Sequence, residues 1–203
     1  MKNIIFFFFI FIAPSTILFA QENLDLKPIG ITSNGVSNKQ KAYKAPMYFR
    51  FCGNGSFLTE DLLHDFIIEE YTGKKSKEIY TNILLIATSM YKSPKDVINK
   101  VENKMITIDG YISHAGTRKD EYGKSTVSVS YRLQFNIKDE KVKINAPIIN
   151  TIYENNKECI DVEIYVGELW NKSKNTVTQI QDKINETIGY IVSKSKSGNI
   201  DNW

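Results

Sequence analysis

The sequence is poor in the residues that most often carry chemistry. Its 203 residues hold two histidines and two cysteines. His64 and His114 stand far apart, and neither has a Cys or His partner at metal-ligand spacing, so no metal site is predicted. The chain contains no GxSxG, no HExxH and no Cys–His signature, which removes the commonest hydrolase motifs. His64 lies between Leu63 and Asp65 without a Ser or Cys motif to serve, and surface placement is the plainer reading. Charge of one sign is missing too. Lys and Arg number 26 against 23 Asp and Glu, with no basic block. A nucleic-acid binder needs a stripe that neutralises several phosphates, so no nucleic-acid partner is expected. The run Gly53-Asn54-Gly55-Ser56 is not followed by the Lys and Ser/Thr of a phosphate loop, and a turn is predicted instead. No cofactor is expected.

Long apolar runs are absent except at the start. Lys2 precedes Ile4 to Ile12, Pro14 relaxes the run, and Ala20 offers a small residue before Gln21. This is the pattern of a secretory signal peptide over 1–20. A retained anchor is the alternative, but the uninterrupted stretch is about ten residues where a spanning helix needs roughly twenty. No Cys follows the cut, so lipid attachment there is not predicted. The mature chain is expected to be exported, periplasmic or secreted, without a transmembrane segment. Lys2 is the leader's single charge, so the mature net charge falls from +3 to +2. Cys52 and Cys159 sit in apolar surroundings. A disulfide between them is permitted outside the cytoplasm, and two separate buried thiols are the alternative. Residues 21–46 read as a flexible lead-in, 47–194 as one domain, and 195–203 as a polar tail whose Trp203 docks on the body or serves as a tag.

What is present is patterning. From Thr126 to Ile144, Val127, Val129, Tyr131, Leu133, Phe135 and Ile137 alternate with Ser128, Ser130, Arg132, Gln134 and Asn136. Lys138-Asp139-Glu140-Lys141 interrupts, and Val142 and Ile144 resume. Side chains on a strand alternate between faces, so this is a β-hairpin with one buried face. Shorter strands are predicted at Met47 to Cys52, Leu62 to Tyr71, Asp96 to Val101 and Met105 to Ser113, with Gly110 marking a bulge or a close approach. His114 to Lys124 reads as a polar loop, and Cys159 to Val166 as a strand followed by a loop over Gly167 to Asn175. Ile79, Ile83, Ile86, Ala87 and Met90 recur at helical spacing behind Ser76 as N-cap. Val177, Ile180, Ile184, Ile188 and Ile191 do the same to about Lys194, with Thr176 or Thr178 as cap. Glu69 and Glu70 are adjacent on a strand and so face opposite ways, which disfavours a paired-carboxylate site.

The stretches EEYTGKKSKEIYTNILLIA (Glu69 to Ala87), KVENKMITIDGYISH (Lys100 to His114), VSYRLQFNIKDEKVKI and the ending NIDNW (Asn199 to Trp203) together resemble a bacterial family of secreted domains of unknown function with a TATA-binding-protein-like fold. The likeness spans roughly Phe66 to Trp203. It implies an α+β fold, a curved antiparallel sheet with two helices on one face in β-α-β-β-β-β-α order. The segments Met47 to Cys52 and Cys159 to Val166 depart from that pattern and leave the strand count open. The resemblance carries no catalytic residues and no DNA-binding role, because a shared fold does not transfer function.

The leading expectation is a non-enzymatic binding domain of the envelope or exterior, whose partner is an envelope protein or a small ligand. Its open sheet face would carry Ser128, Ser130, Arg132, Gln134 and Asn136; ordinary solvated strand surface is the alternative. An extracytoplasmic hydrolase with an unrecognised site and an assembly subunit that pairs through a sheet edge are the competing classes.

Overall fold

The computed structural model describes residues 46–121, 123–158 and 162–198. In chain order they form β1 (Arg50–Phe51), β2 (Phe57–Leu58), β3 (Phe66–Glu70), α1 (Ser76–Ser89), α2 (Pro94–Val97), β4 (Ile98–Val101) and β5 (Met105–Asp120). There follow β6 (Gly123–Lys138), β7 (Lys141–Asn145), β8 (Ile148–Glu154), β9 (Lys157–Glu158), α3 (Val162–Lys172) and α4 (Lys174–Ser197). β1 and β2 pair only with each other, while the remaining strands make one sheet in the order β3-β7-β6-β5-β4, with β8 beside β6 and β9 beside β8. All its pairings are antiparallel. This is the expected α+β architecture, but from β3 onward the expected β-α-β-β-β-β-α order with two helices gains α2, β8, β9 and α3. The leader, the lead-in as far as residue 45, Cys159 and the terminal Trp203 lie outside the described residues. Of the two cysteines only Cys52 falls within them, as a half-buried thiol with Sγ 3.7 Å from the Arg50 carbonyl.

β6 is the strand on which the others are hung. β5 pairs along its whole length, from Met105↔Asn136 to Asp120↔Gly123. On its other side β7 takes the end nearest the turn and β8 takes Val127 to Arg132. Val127, Val129, Tyr131, Leu133, Phe135 and Ile137 are all buried on one face, as the alternation requires. Against that face lie Ile79 and Ile83 of α1 and Ile180, Ile184, Ile188 and Ile191 of α4, each fully buried. A side chain of this kind removed from water contributes about 1.5–3 kcal/mol, so this layer supplies most of the driving force.

Two glycines let backbones meet. Gly110 faces Tyr131 across the β5–β6 ladder, and a Cβ there would stand 2.5 Å from the Tyr131 ring. The phenol thus lies over bare backbone and reaches the Tyr91 hydroxyl at 3.0 Å. Gly116 brings β5 against α4, where a Cβ would meet Thr176 at 2.9 Å.

Polar side chains fix how the pieces dock. The Asp139 carboxylate in the β6–β7 turn accepts the Ser76 N–H at 2.8 Å, and Glu140 accepts the Gly73 N–H at 3.0 Å. The first of these bonds, with Lys75 beside it, holds the Asp139 carboxyl below its ordinary range. Asp139 thus caps α1 in place of Ser76, which is the first helical residue rather than the cap. On α4, Asn185 accepts the N–H groups of Tyr48 and Phe49, each at 2.9 Å, and donates to the carbonyls of Phe49 and Gln181. Gln181 accepts the Phe51 N–H at 3.0 Å. The two amides, four residues apart on one helix face, present a strand-like edge to the segment that leads into β1.

Five further sequence expectations are corrected. His114 to Lys124 is no loop: β5 continues to Asp120 and pairs with β6 from Gly123. Its packed residues are Ala115 and Gly116 rather than large apolar side chains, so it shows no hydrophobic alternation, and its pairing with β6 and contact with α4 set its register. Of the stretch expected as a strand, Cys159 to Val166, the described residues from Val162 on are helical, and Gly167 to Asn175 is not a loop: α3 begins at Val162 and runs through Lys172. Val162 and Val166 satisfy a period of two as well as a helical one, and buried Leu169 decides for the helix. α4 starts after Ser173 rather than at a cap of Thr176 or Thr178. It also extends through Ser197, so Ser195 is buried helix and not tail, its hydroxyl 2.7 Å from that of Tyr71.

Replacing Asn185 by Ala leaves buried N–H groups at Tyr48 and Phe49 without their acceptor, and should destabilise the domain by about 2–3 kcal/mol in urea unfolding. A change below about 0.5 kcal/mol would show that water replaces the amide without loss. A second outcome concerns alkali. Burial pushes the Tyr71 phenol up to about 12 and raises those of Tyr91 and Tyr131. Since the unfolded phenol ionises near 10, stability should hold below that pH and fall as pH climbs towards about 12. Phenolate absorbance and circular dichroism should show some of the eleven tyrosines ionising only as the fold is lost. Complete ionisation with intact dichroism would overturn this.

Candidate functional site

Cross-strand partners share a face of the sheet, so the pairing register identifies what the side away from the helices displays. Along β6 it carries Ser128, Ser130, Arg132, Gln134 and Asn136, the five residues singled out in the sequence. β5 sets Asp109 opposite Arg132, Tyr111 opposite Ser130 and Thr107 opposite Gln134. β7 places Lys143 opposite Asn136, and β8 places Thr151 opposite Ser130 and Tyr153 opposite Ser128. At the edge, β3 adds Ile68 opposite Lys143.

The charges on this face largely answer one another. Arg132 donates to both Asp109 oxygens, Nε at 2.6 Å and the terminal nitrogen at 3.2 Å. Hydrogen bonding to Asp109 raises the guanidinium further above its ordinary value. Gln134 donates to Asn136 at 3.1 Å and Asn136 to Asn145 at 3.5 Å, giving a ladder of amides across three strand positions. Lys143 holds its ammonium 4.2 Å from the Phe66 ring centre. The face is therefore a hydrogen-bonding surface with one neutralised ion pair at its middle.

At one end it deepens. Between Ile112 and Gly116 the β5–β6 register slips, and Ser113, His114 and Ala115 all stand against Ser128. The bulge puts Ala115 into the core and His114 in solvent at φ 55°; a left-handed residue that is not Gly costs roughly 1–2 kcal/mol. Ser128 is 4% exposed and secures the bulge by accepting the His114 N–H at 3.2 Å. Opposite, Asn155 and Asn156 turn the β8–β9 hairpin at φ 49° and 65°. Asn155 accepts the Thr126 N–H at 3.0 Å and so draws this turn against β6. The result is a depression of about 290 Å³ lined by Tyr111, Ser113, His114, Thr126, Ser128, Asn155 and Asn156. Tyr153 packs edge-on to Tyr111 at 5.7 Å.

A broader groove of about 620 Å³ runs between β3 and the segment entering β1, past Tyr48, Asp61, Ile67 and Glu69. Two of its carboxylates are engaged within the fold: Lys196 binds Glu69 at 2.5 Å, and Asp61 accepts from Thr59 and from the Leu63 N–H. Those bonds, Thr59 first, keep the Asp61 carboxyl below its ordinary range. His64 lies 3.8 Å from Asp61 with its side chain 55% exposed, and the one hydroxyl beside it, on Thr59, already donates to Asp61.

The structure thus brings the five expected residues onto one face and adds Asp109, Tyr111, Tyr153, Asn155, Asn156 and His114. The Asn155-Asn156 pair is a turn signal readable in the sequence. That this turn meets Tyr111 and Ser128 depends on β8 lying beside β6, which no local pattern reveals.

No family model matches the chain, and no curated protein matches it. Among solved structures, a DUF4468 family protein from Bacteroides ovatus superposes with a TM-score of 0.51 and 11% identity, over 82% of this chain and 100% of its own. The chain shares that fold. A TBP-like protein from Parabacteroides distasonis covers 76% of this chain and 98% of its own at 15% identity and a TM-score of 0.48. The first of these, a bacterial protein of a DUF family, agrees with the sequence resemblance in fold. At such identities the likeness concerns architecture, and the side chains on the open face are this chain's own. No helix among the described residues is long and apolar enough to cross a membrane.

The Arg132–Asp109 pair is half exposed, and pairs of that kind contribute about 0–1 kcal/mol. Arg132→Gln should therefore change urea stability by less than about 1 kcal/mol. A loss of several kcal/mol would assign the pair to holding the sheet and remove it from the surface available to a ligand.

Proposed function

We propose that this protein is a non-enzymatic binding domain, exported from the cytoplasm, that engages an envelope protein or a small ligand through the open face of its sheet. The observation that carries the reading is the division of labour across the sheet. One face is sealed by α1 and α4; the other, among the described residues, carries a continuous run of hydrogen-bonding groups on β5, β6, β7 and β8, with Arg132 exposed and Ser130, Gln134 and Asn136 half-buried. Bonds among those side chains hold them in place, so a partner would meet a preorganised surface. The export reading rests on the leader pattern. The non-enzymatic reading is supported by the placement of the histidines: His64 sits on an exposed turn whose hydroxyl is committed, and His114 is exposed on a bulge. A nucleophile and base held within reach of each other would be needed for hydrolysis.

Edge pairing is a second reading with an observation of its own. Among the described residues β3 pairs with β7 alone, and the neighbouring Leu62 and Leu63 are 44% and 74% exposed. An edge that no described strand pairs, beside exposed leucines, suits a second strand.

Photocrosslinking residues introduced at Ser130 or Gln134, on the open face, should give a discrete adduct in intact cells, whereas the same residue at Thr81 on the solvent side of α1 should not. An adduct of the same size and yield at all three positions would sink the open-face reading. Adducts at Leu63 alone would favour edge pairing.

A further inference from the structure

The depression at the bulged end of the open face has a composition that selects among ligands. Resting on the open-face reading, we infer that it accepts a neutral polyhydroxylated ring, the repeating unit of an uncharged oligosaccharide. The lining offers hydroxyls from Ser113, Thr126 and Ser128, amides from Asn155 and Asn156, the His114 imidazole and the Tyr111 ring, with no Lys, Arg, Asp or Glu among them. A carboxylate or phosphate leaving water needs a counter-charge, and this wall has none. The charged pairs near it along the ladder are bonded within themselves, Arg118 with Glu154 at 3.4 Å and Arg132 with Asp109 at 2.6 Å. Ser128 and Asn155 already bond within the fold, but a wholly apolar ligand would cover the Thr126 hydroxyl and the Asn156 amide without offering them a partner. Hydroxyl-bearing rings match both constraints, because each hydroxyl donates one bond and accepts others, as Ser, Thr and Asn side chains do.

The remaining geometry fits the same class. Tyr111 and Tyr153 meet edge to face at 69°, so the Tyr111 ring is held in orientation and offers a surface for the C–H face of a sugar. The volume of about 290 Å³ lies at the small end for ligand pockets, enough for one ring while neighbouring rings extend along the face. Non-glycine residues at positive φ persist where the surroundings impose them, and they concentrate at binding sites. Three lie on this wall, at His114, Asn155 and Asn156. Ser128, already accepting from the His114 N–H, keeps its own proton to donate.

The test is an amide-resolved NMR titration of the mature protein with maltotetraose, tetra-N-acetylchitotetraose and, as controls, a tetragalacturonate and the peptide Ala-Ser-Ala-Ser. At about 10 mM a ligand of millimolar Kd is largely bound. The expected result is a shift of the Tyr111, Ser113, Ser128 and Asn156 amides with a neutral oligosaccharide and not with the controls. Asn156→Gly keeps the positive φ without strain, and should weaken that binding about tenfold, the loss of one hydrogen-bonding group. Tyr111→Leu, which keeps apolar bulk, should do the same. Tighter binding of the galacturonate or the peptide at these amides would overturn the inference, as would unchanged affinity in both variants. If no probe shifts these residues while a crosslinker at Ser130 still yields its adduct, the ligand class falls and the open-face reading stands. If the Ser130 adduct is absent as well, both fall.

Discussion

The structure depends on one strand being paired on both sides while facing two solvents. β6 is buried by helices on one face and open on the other, and its sixteen residues are shared between β5 on one flank and β7 then β8 on the opposite flank. A slip of one residue would exchange the two sets, placing Arg132 in the core and Tyr131 in water. Gly110 makes that slip costlier still, since only the register found sets bare backbone beneath the Tyr131 ring. The same constraint that packs the core therefore fixes which residues line the open face.

Docking of the helices relies on side chains acting as surrogate backbone. Asn185 and Gln181 serve the segment before β1 as a neighbouring strand would, and Gln179 and Thr176 take the N–H and carbonyl of Thr117 on β5. Asp139 supplies the N-terminal cap of α1 from a turn more than sixty residues away in sequence. Each is a polar group leaving water with its hydrogen bonds accounted for, which gives the assembly one geometry where apolar contact alone would tolerate several. The bulge at His114 then becomes affordable, because β5 is clamped on both sides of it.

Much of this was legible beforehand, and unevenly so. The β6–β7 hairpin, α1 and the core of α4 carry strong periodicity, and the five residues of the open face follow from the hairpin alternation alone. The outer half of β5 was not legible, because the face it packs on α4 is made of Ala115, Gly116 and Thr117 and not of large apolar side chains. Nor was α3, whose short apolar spacing fits two periods until Leu169 is seen packed in the core. The depression was hidden for a different reason: Tyr111 and Ser128 lie on two strands and Asn155 in the turn that follows a third, and they share no local signal.

By itself the sequence determined the two-faced strand, the helical stripes that cover it and the polar identity of what the other face displays, because period and polarity are local properties of a chain. The tertiary structure alone decided that β8 replaces β7 alongside β6, that the β8–β9 turn closes on a bulge in β5, and that Arg132 spends its charge on Asp109. Those outcomes arise from pairings between distant segments, where the free energy lies in the register and not in either segment alone.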